Sequence, residues 1–84
     1  MSDPRLLIAI EVLDFLRSLR PKEQAALLKR FREIAVFPSQ FSDYVERDSL
    51  SRRVEVHIFG RFAIKYWDDH ADRHLKVLDV HIAD

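Results

Sequence analysis

The side chains able to do chemistry in this 84-residue chain fall almost entirely in its second half, at alternating positions. Arg53, Glu55 and His57 alternate with Val54, Val56 and Ile58; Arg61, Lys65 and Trp67 alternate with Phe62, Ile64 and Tyr66; Asp79 and His81 alternate with Leu78, Val80 and Ile82. Alternation of this kind places one set on each face of a half-buried sheet, so the eight polar or amphipathic residues are expected to share an open face. Imidazole titrates near neutral pH, which makes His57 and His81 candidates for proton transfer; the plainer reading is that they are exposed strand histidines. Arg52, Arg53, Arg61 and Lys65 are candidates for holding phosphates or a carboxylate-rich partner helix, against cross-strand pairing with Glu55 and Asp79.

Other chemistries find little support. His70 and His74, with Asp68, Asp69 and Asp72, have a spacing that aligns two imidazoles only on a helix, whereas here they fall in a connection between strands, so no metal is expected. With no Cys there is neither a disulfide framework nor a thiolate site. No glycine-rich phosphate loop or nucleophile triad is present, and no cofactor is expected. Lys plus Arg and Asp plus Glu both number 14, and this balance counts against non-specific nucleic-acid binding, which needs excess positive charge, while leaving room for a local basic patch.

The elements that must position these residues follow from periodicity. The length indicates a single domain, 1–84, and a hydrophobic fraction of 48% can supply its core. Val12, Phe15 and Leu19, with Leu13 and Leu16, lie at helical spacing, and Pro21 ends that helix and starts the next. Leu27, Leu28, Phe31, Ile34 and Ala35 give the second helix, about 21–37, its apolar side, so the two helices form an antiparallel hairpin. Ser2-Asp3-Pro4 has the pattern of a helix start, yet Arg5–Ile8 reads equally as a short strand. Residues 41–51 read as a polar connection. Three strands follow, at 53–59, 62–67 and 75–82, with Gly60 in the first turn and 68–73 in the second. A three-residue 59–61 loop that sets Ile58 opposite Phe62 would keep the apolar sets together, so an odd-length connection is expected. The fold class is therefore α+β: an antiparallel helical hairpin packed on one face of an antiparallel three- to four-stranded sheet. The apolar run 6–10 is too short to span a membrane, and Glu11 and Asp14 interrupt what would be a signal core, so a cytoplasmic protein with no membrane partner is expected.

Three segments, IEVLDFLRSLRPKEQAALLKRFREIAVFPSQF, SRRVEVHIFGRFAIKYWDDH and LKVLDVHIAD, together resemble the RelE/ParE toxin superfamily of bacterial toxin–antitoxin modules. The central match is Gly60, Phe62, Ile64 and Tyr66, a glycine followed by an aromatic, aliphatic and Tyr alternation. The resemblance implies a first strand at residues 5–8, a cognate antitoxin as partner and, in the manner of such modules, a part in plasmid stabilisation. For activity it implies either binding to DNA gyrase or metal-independent cleavage of mRNA on the ribosome. In the second case Arg53, Arg61 and Lys65 would stabilise the phosphate and His81 or His57 would move the proton. Nuclease members usually carry Arg three positions before the central Tyr, where this chain has Ala63, and a catalytic or basic group at the end of the last strand, where it has Ile82-Ala83-Asp84. These departures favour a toxin that acts by binding, or a repurposed, non-toxic member of the fold.

Overall fold

The computed structural model describes residues 5–83; the capping pattern at Ser2-Asp3-Pro4 lies outside them. The elements run β1 (Arg5–Ile8), α1 (Ile10–Arg17), α2 (Pro21–Val36), α3 (Pro38–Phe41), β2 (Tyr44–Arg47), β3 (Arg53–Phe59), β4 (Phe62–Asp69) and β5 (His74–Ile82). The α+β class and the helical hairpin are as expected, and residues 5–8 are strand. The five strands form one sheet in the order β1-β5-β4-β3-β2, with β1 parallel to β5 and every other pair antiparallel. Two features of the sheet differ from the sequence expectation. β1 makes it mixed rather than wholly antiparallel, and β2 forms inside the segment read as a polar connection.

The helix boundaries have local causes. Pro21 occupies the first turn of α2, where its missing N–H costs nothing. Gln24 closes the tight link by donating Nε2 to the Leu19 carbonyl at 2.9 Å. Pro38 follows the last turn of α2 and opens the single turn of α3. Both longer helices lie on one side of the sheet, where Val12, Leu16, Leu27, Phe31 and Ile34 meet Ile64, Tyr66, Leu75 and Val77 in one buried cluster. Tyr66 is fully buried there, and its hydroxyl donates to the Pro38 carbonyl, tying the centre of the sheet to the α2–α3 junction. Burial raises the Tyr66 pKa well above the usual phenol value.

The expected register is corrected. Phe59 pairs with Phe62 and His57 with Ile64 across a two-residue Gly60–Arg61 turn, so the connection is even rather than odd. Of the two turn residues only Gly60, with φ +58°, has a left-handed backbone, which matches the tight hairpin turn that takes Gly first. The consequence is a reversal of β3: His57 and Phe59 face the helices, while Val54, Val56 and Ile58 face the opposite, helix-free side. In β5 a bulge across from Lys65 and Tyr66 accommodates Leu78 and resets the phase, so Leu75, Val77 and Val80 all reach the core. The even-numbered residues therefore do not form one apolar face.

Nothing lies within 4 Å of a Cβ built on Gly60, so Gly60→Ala strains only the backbone. A loss of about 1 kcal/mol is expected from the left-handed φ, read as a lower urea midpoint at unchanged m value. A much larger loss would show that the turn, and the register with it, had changed.

Candidate functional site

The register divides the eight residues expected on one open face. Lys65, Trp67, Asp79 and His81 are on the helix-free face of the sheet. Arg53, Glu55 and His57 are on the helix side, and Arg61 is in the turn, where it makes a two-pronged ion pair with Glu23 of α2, the closest contacts being 2.8 and 2.9 Å.

On the helix side, His57 is 9% exposed and is held from three directions. Its Nδ1 is 3.0 Å from Asp43 Oδ2, and the same oxygen accepts the Ile58 N–H at 2.7 Å. Arg30 NH1 stands 3.4 Å from Nε2. Guanidinium has only donors, so Nε2 is the acceptor and the ring proton sits on Nδ1, toward Asp43. Phe41 meets the imidazole edge-on and Phe59 stacks along it, while the Arg30 guanidinium lies 4.9 Å and 4.4 Å from the same two rings. The bond from the Ile58 amide, reinforced by His57, holds the Asp43 carboxyl below its ordinary value. This cluster fastens the segment entering β2 onto β3; its histidine is enclosed by protein groups on both nitrogens. Nearby, Arg53 and Glu55 pair at 2.8 Å. Burial pushes Glu55 up, but the bonds from Arg53 and Ser42 bring it below its usual value. A cleft of about 280 Å³ opens beside them, bounded by Pro38, Ser39, Asp68 and His70.

The helix-free face holds a different arrangement. Tyr44, Val56, Lys65 and Asp79 succeed one another across four strands, and Ile58, Ala63 and His81 form the adjoining row. Lys65 reaches over β3 to Glu46 at 3.0 Å, and this bond is the chief reason its pKa is raised. Asp79 Oδ2 lies 2.8 Å from His81 Nδ1, a contact that fixes the ring and leaves Nε2 toward solvent, with the side chain 48% exposed. Ala63 opposite His81 takes up little space beside that ring. A shallow hollow of about 460 Å³ borders Lys65 and Glu46 and is closed at its far side by Asp48, Arg52 and Leu78. Trp67 lies at the edge of the face between two cations, Arg52 at 5.0 Å and Lys76 at 4.7 Å from its ring. Lys76 in turn pairs with Asp69 at 3.0 Å, which lowers the Asp69 pKa.

The face thus carries two separate groupings: an accessible imidazole held by a carboxylate on β5, and an ammonium–carboxylate pair, Lys65–Glu46, that spans β3 on the other side of β4. Together these can exchange protons and balance developing negative charge. Sequence reasoning located Lys65, Asp79 and His81 but missed Glu46 and Tyr44, which lay in a segment read as connection. The alternation of Tyr44 and Glu46 with Val45 and Arg47 is a strand signal, although four residues make it a short one. Asp68 at the end of β4 and His70 in the β4–β5 connection pair at 3.2 Å, and among the described residues no three His, Cys, Asp or Glu side chains gather where they could hold a metal ion.

No protein-family model matches the chain, and no curated protein sequence matches it. Among solved structures, a chain from the crystal structure of the toxin–antitoxin complex RelBE2 of Mycobacterium tuberculosis superposes with a TM-score of 0.82 at 20% identity, covering 100% of this chain and 97% of that one. At this identity the likeness is one of fold. It bears out the RelE-type fold expected from the Gly60–Tyr66 pattern.

The Asp43 contacts carry a pH signature. Its pKa is depressed below 3.8 in the folded state, so its contribution is present above about pH 4 and is lost as pH falls through the folded value. Asp43→Asn should therefore be less stable than the parent at pH 7, with the difference shrinking below pH 4. Thermal melts of both proteins from pH 2.5 to 7 would check this.

Proposed function

We propose, on the premise of this RelE toxin-like fold, that the chain is the toxin-like component of a bacterial type II toxin–antitoxin module, acting in the cytoplasm and held by a cognate antitoxin. The observation that carries the reading is the match of fold over the whole chain to a chain of a toxin–antitoxin complex. The neutral charge balance and the pairing of Arg53 with Glu55 and Arg61 with Glu23 favour a surface that recognises a protein over one that grips nucleic acid by its phosphates. DNA gyrase is the protein target that the resemblance implies.

The grouping on the helix-free face favours a second reading, metal-independent cleavage of mRNA on the ribosome. Its residue set differs from the one expected from sequence. Arg53, Arg61 and His57 drop out, because two are tied up in ion pairs on the helix side or in the turn and the third is enclosed. Lys65 and His81 remain, Lys65 paired with Glu46 and His81 with Asp79. In this reading Lys65 stabilises the charge growing on the phosphoryl oxygens. His81, held by Asp79, takes the attacking hydroxyl's proton through Nε2, and water supplies the proton to the leaving oxygen.

Induced expression in bacteria, with and without the product of any small open reading frame found beside its gene, tests both. Growth arrest relieved by that product is the expected result, and no arrest together with no complex would overturn the toxin–antitoxin reading. Mapping of mRNA ends separates the targets. If the chain cleaves, His81→Ala should slow cleavage by about 10²- to 10⁴-fold, the usual worth of a general acid or base. Arrest without new mRNA ends would sink the nuclease and leave the binding toxin.

A further inference from the structure

β2 closes one end of the sheet, so it pairs with β3 on one side and, among the described residues, with no strand on the other. Its last backbone bond fixes which groups lie on that open side. The Asp48 N–H reaches the Arg52 carbonyl at 3.1 Å, and closely bonded pairs alternate along an antiparallel ladder. Glu46–Val54 and Tyr44–Val56 are therefore the closely bonded pairs, and Val45 and Arg47 turn both N–H and C=O outward. The side chains at this edge are open as well, Tyr44 at 48% and Val45 at 40% exposure. Two of its charges are incompletely met. Arg47 lies on the helix side opposite Arg53, a like-charge pair, and its guanidinium donates to the Ser51 carbonyl at 3.0 Å. Arg53 has Glu55, whereas among the described residues Arg47 has no carboxylate. Asp43 receives both the His57 ring and the Ile58 N–H on Oδ2, which leaves Oδ1 of a half-exposed carboxylate unclaimed.

We infer that the free edge of β2 is a homodimer seam, where β2 pairs antiparallel with β2 of a second copy about a two-fold axis through Val45. Facing residues of an antiparallel pair share a side of the sheet, so such an axis passes through a residue rather than between two. Val45 carries outward bonding groups and no charge, which makes it the residue the axis selects. Tyr44 and Glu46 point their groups inward, and an axis through Arg47 sets two arginines face to face. With the axis at Val45, Tyr44 meets the partner's Glu46 and Arg47 meets the partner's Asp43. Two backbone bonds cross the axis and one lies at each end, from the Arg47 N–H to the partner's Asp43 carbonyl; the Asp43 N–H is committed to Val56 at 2.8 Å. The Arg47–Asp43 pairing occurs twice by symmetry and gives the cation its missing carboxylate. Charges at a sheet edge ordinarily discourage strand addition. Here they are complementary under the two-fold and select this chain's own copy. The neutral overall charge adds no long-range repulsion between copies. The contact is small, so the dimer is reversible and forms as concentration rises. The seam rests on β2 alone and stands apart from the toxin–antitoxin reading.

The chain has no Cys, so a single introduced thiol reports the seam cleanly. Closely bonded antiparallel partners lie about 5.5 Å apart at Cα, within disulfide reach. Under mild oxidation Val45→Cys should form a covalent dimer at least about tenfold faster than Leu50→Cys, whose site between β2 and β3 is 74% exposed but off the seam. Sedimentation of the parent from micromolar to near-millimolar concentration should show a monomer–dimer equilibrium, and amide exchange at Val45 and Arg47 should slow as the dimer forms. Arg47→Asp sets a carboxylate against the partner's Asp43 and should weaken dimerisation at least about tenfold, with unchanged circular dichroism. The exchange measurement uses the parent alone and so stands if a variant fails to fold. Equal cross-linking of the two cysteine variants, or exchange at Val45 and Arg47 that ignores concentration, overturns the seam. So does a dimer that Arg47→Asp leaves undiminished. A parent that stays monomeric at near-millimolar concentration overturns it too and leaves the edge to a strand of another protein.

Discussion

The phase set by the Gly60–Arg61 turn governs which side chains meet and which are kept apart. An antiparallel pair has a side-chain period of two, so adding or removing one residue in the turn exchanges the two faces of β3 entirely. Because the turn has two residues, an imidazole rather than a valine is delivered to the helix side beside Ile64. A buried ring with two unsatisfied nitrogens would be costly. Asp43 and Arg30 remove that cost, one from the strand-entry segment and one from α2. The turn, the β2 entry and the middle of α2 therefore form one coupled unit.

The same phase fixes the other surface. Val54 and Val56 face away from the helices yet are 6% and 0% exposed, a degree of burial supplied by side chains of the sheet itself. Tyr44 and Glu46 from β2 and Lys65 from β4 lie across them. Ion pairs here do more than balance charge: the Lys65–Glu46 contact lays two aliphatic stems over the valines beneath. Exposed pairs of this kind contribute little as electrostatics alone. Their greater effect is to hold cations and carboxylates at fixed places on an otherwise apolar row.

Much of this was legible in the chain. Proline at 21 and 38, glycine at 60 and the stripe through Leu27, Phe31 and Ile34 are local signals, and local signals mark elements well. The RelE-type pattern from Gly60 to Tyr66 is likewise local and led to the right fold. What was not legible depends on partners distant in sequence. The odd-length turn was expected because it sorts apolar from polar residues, and the chain instead violates that sorting, since Asp43 and Arg30 make a buried His57 acceptable. The Leu78 bulge allows Val77 and Val80 to share a side, which simple alternation forbids. β2 is too short to announce itself without the strand it pairs with. For the candidate site the cost was specific: one face was expected to hold eight residues, four of which belong elsewhere, and Glu46 was absent from the set.

β5 is the last of the eight elements to be translated, yet it is an interior strand, flanked by β1 on one side and β4 on the other. Arg5 pairs with His74 and Ile8 with Val77, so β1 waits until all the intervening elements have been made for its neighbour. Until β5 arrives, β1 has no strand to join, and α1 and α2 lack Leu75, Val77 and Val80 beneath them. Closure of a loop this long also carries an entropic cost that the β1–β5 pairing must offset. The nascent chain can prepare its helices and the β2–β3–β4 meander, but the sheet is completed from within and late. The helix-free face gains Asp79 and His81 only at that moment. A ribosome carrying the chain without β5 therefore carries an unfinished surface.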